Sequence, residues 1–176
     1  ITITGTCFEY GLINGCLNEE LKTNPSNSYG IAKDSLRRFI EELNKEYEFN
    51  YKWIRLFYIY GEGQGEKSIL SLLDKAIQNN EKEFNMSGGE QLRDYLNIKN
   101  VVKNILLISN QTLFSNQIIN CCNGKPISIR KLVENHLNKK EYNIKLNLGF
   151  YSYPNHEPMA FWGDNTKLNL IKKGRK

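Results

Sequence analysis

The spacing of apolar and polar residues changes character several times along this chain, and each change predicts an element. Ile1-Thr-Ile-Thr-Gly5 is a run of four β-branched residues ending in a glycine. That is the pattern of a buried parallel strand entered partway along, so the chain is expected to begin inside a domain. Residues 5–11 read as the loop closing that strand, and 12–27, rich in Asn, Gly and Pro, as further loop. From residue 28 the period becomes helical. Ala32, Leu36, Phe39, Ile40, Leu43 and Tyr47 recur three or four apart, with Pro25 and Asn27 or Ser28 supplying the turn and the N-cap. Residues 49–59 are β-rich (Tyr51, Trp53, Ile54, Leu56, Phe57) and close on Tyr60-Gly61. The remaining pattern predicts a helix over 68–78, a polar stretch to Glu90, a short strand at 93–98 and a helix over 101–109. A strand at 117–120, a helix from Ser128 to about 138, a strand at 144–148 and a short final helix capped by Asp164 complete it. Strands alternating with helices indicate an α/β protein with a largely parallel sheet.

Composition narrows the setting. With 176 residues, 40% of them hydrophobic, the chain can bury a core of its own. The net charge of +5 gathers at the end, where Lys172, Lys173, Arg175 and Lys176 crowd together. No basic stripe with interleaved aromatics accompanies them, so this tail reads as a solvated end and no nucleic-acid partner is expected. The four cysteines (Cys7, Cys16, Cys121, Cys122) have neither C-x-x-C spacing nor histidine partners. A zinc site is therefore not expected, and a reducing cytoplasm is the natural setting. No stretch approaches the ~20 apolar residues of a membrane span, and no signal peptide is visible.

The candidate chemistry sits at the start of the long helix. Tyr29 and Lys33 are four apart, on one face. An ammonium beside a phenol favours the phenolate, and a phenol so tuned exchanges protons with a hydroxyl or carbonyl near neutral pH. The tetrad alone also fits a boundary aromatic beside a surface lysine, and it occurs twice. The second copy, Tyr95 and Lys99, lies in a predicted strand, where residues four apart are separated by about 13 Å. Tyr29 is thus the candidate and Tyr95 the decoy. A rival motif, Gly61-Glu-Gly-Gln-Gly65, approaches a dinucleotide fingerprint. Its third glycine comes one place early, and two glutamates flank a loop that would have to hold a pyrophosphate, so it reads as an ordinary loop.

Taken together, the motifs resemble those of the extended short-chain dehydrogenase/reductase family, the nucleotide-sugar epimerases, dehydratases and ketoreductases. Thr4-Gly-Thr-Cys-Phe-Glu-Tyr-Gly11 is similar to the family's strand end that supplies a catalytic Ser or Thr, here Thr6. Pro25-Ser-Asn-Ser-Tyr-Gly-Ile-Ala-Lys33 resembles its P-x-x-x-Y-x-x-x-K. Arg55-Leu-Phe-Tyr-Ile-Tyr-Gly61 resembles its R-x-x-x-x-Y-G-P-G, with Glu62 in place of proline. Leu92-Arg-Asp-Tyr-Leu-Asn-Ile-Lys-Asn-Val101 resembles R-D-F-I-H-V-x-D-V, and Asn120-Cys-Cys-Asn-Gly and Trp162-Gly-Asp-Asn-Thr-Lys167 fit its C-terminal pattern.

The resemblance spans nearly the whole chain but only the second half of the family. It implies the C-terminal part of a Rossmann-type doubly wound parallel sheet plus a small α/β substrate-binding region. Residues 1–60 would close the cofactor domain, and 61–176 would mostly bind a nucleotide-diphosphate sugar, with some elements returning to the sheet. The Gly-rich cofactor loop is not in the sequence, so a fragment of a longer enzyme, or the product of a broken gene, is expected. The cofactor implied is NAD or NADP, the assembly a homodimer through the helix that begins at Ser28.

The resemblance also assigns roles. Tyr29 would be the general acid/base and Lys33 would hold the nicotinamide ribose, while Thr6 would hydrogen-bond the reacting substrate oxygen. Phe57 would line the nicotinamide pocket, Tyr58 would face the substrate, and Arg93 would pair with its phosphates. Dehydratases of the family place acid–base groups just after the Thr6 position, where this chain has Cys7 and Phe8. Dehydration is thereby disfavoured. Cys7 is one residue away from the cysteine that some reductases of the family use, and it reads as structural. Epimerisation at carbon 4 and reduction of a 4-keto sugar both remain open, as does a catalytically inactive binding or dimerisation module.

Overall fold

The β-branched opening and the apolar run around Trp53 pair in a parallel sheet. A computed structural model of the chain describes residues 1–153 and 157–174. The first half contains β1 (Thr2–Thr6), a single 3-10 turn (Cys7–Tyr10), β2 (Gly15–Leu17), α1 (Ser28–Glu46), β3 (Lys52–Leu56) and β4 (Tyr58–Tyr60). There follow α2 (Ile69–Gln78), β5 (Glu83–Asn85), β6 (Leu92–Arg93), β7 (Tyr95–Asn97), α3 (Ile98–Asn110) and β8 (Gln117–Cys121). The chain closes with β9 (Ile127–Ser128), α4 (Ile129–Lys140), β10 (Lys145–Asn147), β11 (Phe161–Gly163) and α5 (Thr166–Lys173). Of the basic tail, Arg175 and Lys176 lie outside the described residues.

The central sheet has the order β1–β3–β8, all parallel, with Thr6 opposite Leu56 and Leu56 opposite Cys121. Alternation along β3 divides its two faces. Ile54 packs with Ile119, Val101, Ile108 and Leu168 on the α3–α5 side. Trp53 and Arg55 meet Glu9 on the other. Burying side chains of this size contributes about 1.5–3 kcal/mol each. A second core joins α2 and α4 over β5 and β10, through Leu70, Leu73, Phe84, Met86, Leu132, Val133 and Leu137. Short parallel pairs flank these cores: β4–β7 lies between the two, and β2–β11 packs in a third cluster with Tyr10, Phe57 and Cys122. The fold is thus α/β with parallel sheets.

Several expected boundaries moved, each for a tertiary reason. The β-rich stretch 49–59 is two strands broken at Phe57, whose N–H donates to the Cys121 carbonyl at 3.4 Å while Tyr58 N–H turns to the Asp94 carbonyl at 3.1 Å. The strand expected at 93–98 is likewise cut at Asp94. Its carboxylate accepts the N–H groups of Asn123 (2.7 Å), Gly124 (2.8 Å) and Gly163 (3.3 Å). Residues 12–27 contain β2, which forms only because Phe161–Gly163 returns beside it. The polar stretch before Glu90 contains β5. At the last helix the N-cap is Asn165, although the Asp164 carboxylate does accept the Thr166 N–H at 2.7 Å.

Candidate active site

At the C-terminal end of β1 the chain turns through a reciprocal capping box. Thr6 Oγ1 accepts the Phe8 N–H at 3.3 Å, and Glu9 Oε1 accepts the Thr6 N–H at 2.8 Å. Gly5 permits this arrangement, because a Cβ there would stand 2.2 Å from Glu9 Oε1 and 2.1 Å from Trp53 Nε1. Thr6 is buried, and its hydroxyl also neighbours the Cys7 thiol. The ends of parallel strands are where open α/β sheets bind ligands.

The Asn27 side chain caps α1, accepting the Gly30 N–H at 2.8 Å, and sets Tyr29 in the first turn. A Cβ at Gly30 would lie 2.7 Å from the Phe8 carbonyl, so this glycine lets the helix sit directly on the Thr6 turn. Lys33 Nζ donates to the Thr4 carbonyl at 2.8 Å, tying the helix to β1 two residues before Thr6. Tyr29 remains 53% exposed, with its ring edge-on to Phe8 at 6.4 Å. The structure therefore brings Thr6, Tyr29 and Lys33 to one place.

Phe8 also leads to the second group of residues, its ring standing 6.0 Å from that of Tyr58. Phe57 is buried, its ring among Tyr10, Cys122 and Phe161 in a small aromatic core. Beyond it, a cavity of about 280 Å³ is lined by Tyr58, Gln64, Ser68, Arg93, Tyr95 and Glu157, among others. Arg93 is fully buried and stacked on Phe161 at 4.8 Å. Its Nη2 donates to Glu157 at 2.8 Å and its Nη1 to the Leu92 carbonyl at 2.9 Å, while Nε has no partner among the described residues. The buried Tyr58 hydroxyl likewise has none among them. Burial pushes the phenol of Tyr58 up, and that of Tyr95 to about 12, so both stay protonated donors at neutral pH.

Two polar cavity residues, Ser68 and Glu157, were not assigned to a site from the sequence. Ser68 caps α2 and accepts the Ser71 N–H at 3.2 Å, which leaves the first-turn N–H groups of Ile69 and Leu70 without intrahelical acceptors at the cavity wall. A helix N-terminus and a guanidinium converging on one cavity suit an anionic ligand. The Ser68 cap was readable, but its meeting with Arg93 depends on the second core. Glu157 carries no local signal at all. Tyr95, the decoy, spans a strand-to-helix junction with Lys99 and belongs to the cavity wall instead.

Other candidates are less favourable. The Gly61–Gly65 loop is a turn, with Gln64 N–H on the Gly61 carbonyl at 3.3 Å and Glu62 exposed. Burial raises the thiols of Cys7 to about 12 and Cys121 to about 11, which keeps both protonated and poorly nucleophilic. Among the described residues, no group of three or more His, Cys, Asp and Glu could hold a metal ion. No described helix is long and apolar enough to cross a membrane.

Comparison with known proteins places this geometry. The sequence model of the NAD-dependent epimerase/dehydratase family matches residues 2–122. The chain is 33% identical over 168 residues to dTDP-6-deoxy-L-talose 4-dehydrogenase (NAD(+)) of Aggregatibacter actinomycetemcomitans, covering 93% of this chain and 60% of the relative. It superimposes on UDP-N-acetylglucosamine 4-epimerase from Methanobrevibacter ruminantium, solved with UDP-N-acetylmuramic acid. There the TM-score is 0.86 and the identity 24%, covering 97% of this chain and 55% of that one. A UDP-glucuronic acid 4-epimerase from Bacillus cereus, solved with UDP-glucuronic acid and NAD, gives a TM-score of 0.85 at 22% identity, covering 98% of this chain and 55% of that one. The chain thus spans little more than half the length of these proteins.

Proposed function

This chain belongs to the NAD-dependent epimerase/dehydratase family, and from that membership we propose that it supplies the acid–base residues and sugar-nucleotide site of an enzyme acting at carbon 4 of a nucleotide-diphosphate sugar. The reaction is 4-epimerisation through a ketone or reduction of a 4-keto sugar. The observation that carries this reading is the Lys33–Thr4 contact at 2.8 Å, which brings the Tyr29 face of α1 to the strand end bearing Thr6. The relatives' names support the reacting carbon, since the dehydrogenase and both epimerases are named for the 4-position.

Tyr29 gives or takes the proton at the sugar oxygen, and the O–H of Thr6 donates to that same oxygen. Lys33, with one N–H on Thr4, has two left for the ribose hydroxyls of NAD or NADP. An ammonium and an exposed phenol at the end of parallel strands fit the nicotinamide end of such a cofactor, which when bound supplies hydride exchange. Phe57, in the aromatic core behind Tyr58, backs that pocket. Arg93 and the N-terminus of α2 hold the diphosphate, and the Tyr58 hydroxyl meets the sugar. Phe8 lies between Tyr29 and Tyr58 and has no proton to give, which argues against dehydration. The exposed apolar side chains Leu36 and Phe39 on α1 suit it to pairing with a second copy.

The test uses the full-length gene product with NAD(P) and a panel of nucleotide sugars. Tyr29→Phe is expected to abolish turnover while sugar-nucleotide binding persists, and normal turnover in that variant defeats the reading.

A further inference from the structure

Glu9 does not line the cavity beneath Arg93, yet three elements of the site converge on it. Its Oε1 accepts the Thr6 N–H at 2.8 Å. The Trp53 indole N–H of β3 is shared between its two oxygens at 3.0 and 3.1 Å, and Arg55 Nε donates to Oε2 at 2.8 Å. From α1, one turn beyond Lys33, the Arg37 guanidinium comes within 3.8 Å. Glu9 is fully buried. A carboxylate withdrawn from water is costly unless its lone pairs are filled and its charge is matched. Here indole, guanidinium and backbone donors do both, and they fix the carboxylate from three directions. Gly5 completes the arrangement, because any side chain there would strike the Glu9 oxygen and the Trp53 nitrogen.

Neutralising Arg55 does not require a bond to the Thr6 backbone, so the capping bond serves something else. The Thr6 hydroxyl is oriented by its own backbone and by the Phe8 N–H, a long contact of 3.3 Å, whereas the Glu9 bond to the Thr6 N–H is short. The stiff partner of the turn is therefore Glu9. We propose that Glu9 is a positioning residue for Thr6, anchoring the end of β1 to Trp53 and Arg55 so that the Thr6 hydroxyl addresses the substrate oxygen shared with Tyr29. The inference rests on the role given to Thr6 above. Misplacement of a reacting group by about 1 Å costs on the order of 10²-fold in rate.

A double-mutant cycle in the full-length gene product tests it. Glu9→Gln is expected to lower kcat about 10²-fold. The nucleotide-sugar dissociation constant should stay within about 2-fold, the additivity expected of distant sites. In a Thr6→Val background the same substitution should cost no more than about 2-fold, since the hydroxyl it positions is gone. Losses that multiply independently overturn the proposal, as does wild-type kcat in Glu9→Gln. Glu9→Asp keeps the charge beside Arg55 while drawing the carboxylate back from Thr6, and it carries the same cycle should the glutamine variant not fold. Amide hydrogen exchange reads the geometry without turnover: Glu9→Asp should lose protection at Thr6 and keep it at Ile119 in β8. Unchanged protection at Thr6 overturns the proposal. A wild-type enzyme silent on every nucleotide sugar, with Thr6 protection still dependent on Glu9, refutes the proposed function and not this anchoring.

Discussion

Around Thr6 and Lys33 the protein supplies partners for the groups that fix the turn, leaving only Arg55 Nη1 unmet among the described residues, whereas in the cavity beneath Tyr58 the groups facing the cavity themselves are unmet. The Thr6 N–H has Glu9, the Lys33 ammonium has the Thr4 carbonyl, and Glu9 has an indole and a guanidinium. The Tyr58 hydroxyl and Arg93 Nε, both buried, have no partner among the described residues. A buried polar group left unpaired costs roughly 1–3 kcal/mol. The cavity thus stores a cost that a ligand with acceptors removes, while the β1–α1 end is organised before any ligand arrives. Under the proposed function the difference would separate chemistry from capture, with geometry at one end fixed by the fold and the other end left to a sugar nucleotide.

Breaking the chemical end should have the largest effect. Tyr29→Phe removes the proton carrier but none of the anchors of α1, so turnover should fall by about 10²–10⁴-fold, the range for losing a general acid/base. Steady-state assay of the full-length protein checks this. Breaking the capture end should act differently. Arg93→Met keeps the stack on Phe161 but removes charge-assisted donors worth about 1.5–3 kcal/mol each, so the sugar-nucleotide Kd should rise by about 10–150-fold. Isothermal titration reads that change, and an unaltered Kd would remove Arg93 from the phosphate site.

A smaller effect tests what joins the two ends. Asp94 follows Arg93 in sequence and receives three backbone N–H groups from the β8–β9 and β11 segments. Asp94→Asn leaves one carboxamide oxygen for those donors and turns an NH2 against them, which should cost about 1–3 kcal/mol of stability. Urea unfolding measures it.

The smallest effect is a difference in acid response. At Asp34 in α1, burial works upward, but hydrogen bonds from Arg37 and Thr23 and the charges of Arg37 and Arg38 outweigh it and hold the carboxyl below its usual 3.8. Its stabilisation is therefore complete above that value and is lost as pH falls through the depressed one. At Asp94 burial prevails over the three N–H bonds and raises the carboxyl, so the folded state takes up that proton first and gains relative stability as pH falls. Between pH 5 and 2.5 the melting temperature of Asp34→Asn should fall less than that of the wild type. An identical profile would remove Asp34 from the acid response.

The placement of Tyr29 and Lys33 was legible in the sequence because its information is local. Tyr29 and Lys33 share a helical face, and the proline, asparagine and serine before them mark where the helix starts. The Thr6–Glu9 capping box was equally local and could have been read from T-x-x-E, but it lay in a stretch taken for plain loop. The capture end depends on tertiary structure. Arg93 was visible through its motif, yet Ser68, Tyr95 and Glu157 reach the same cavity only after α2 and α4 pack over β5 and β10. The broken strands at Phe57 and Asp94 have the same origin, since the backbone groups that interrupt them come from residues 94–163.

The most direct test measures turnover and sugar-nucleotide affinity side by side in full-length Tyr29→Phe and Arg93→Met. Two chemically distinct ends of one site predict opposite losses. Tyr29→Phe should bind like the wild type and fail to turn over, while Arg93→Met should bind poorly and approach wild-type kcat at saturating substrate. Normal turnover in Tyr29→Phe, or parallel loss of both quantities in both variants, would contradict the account.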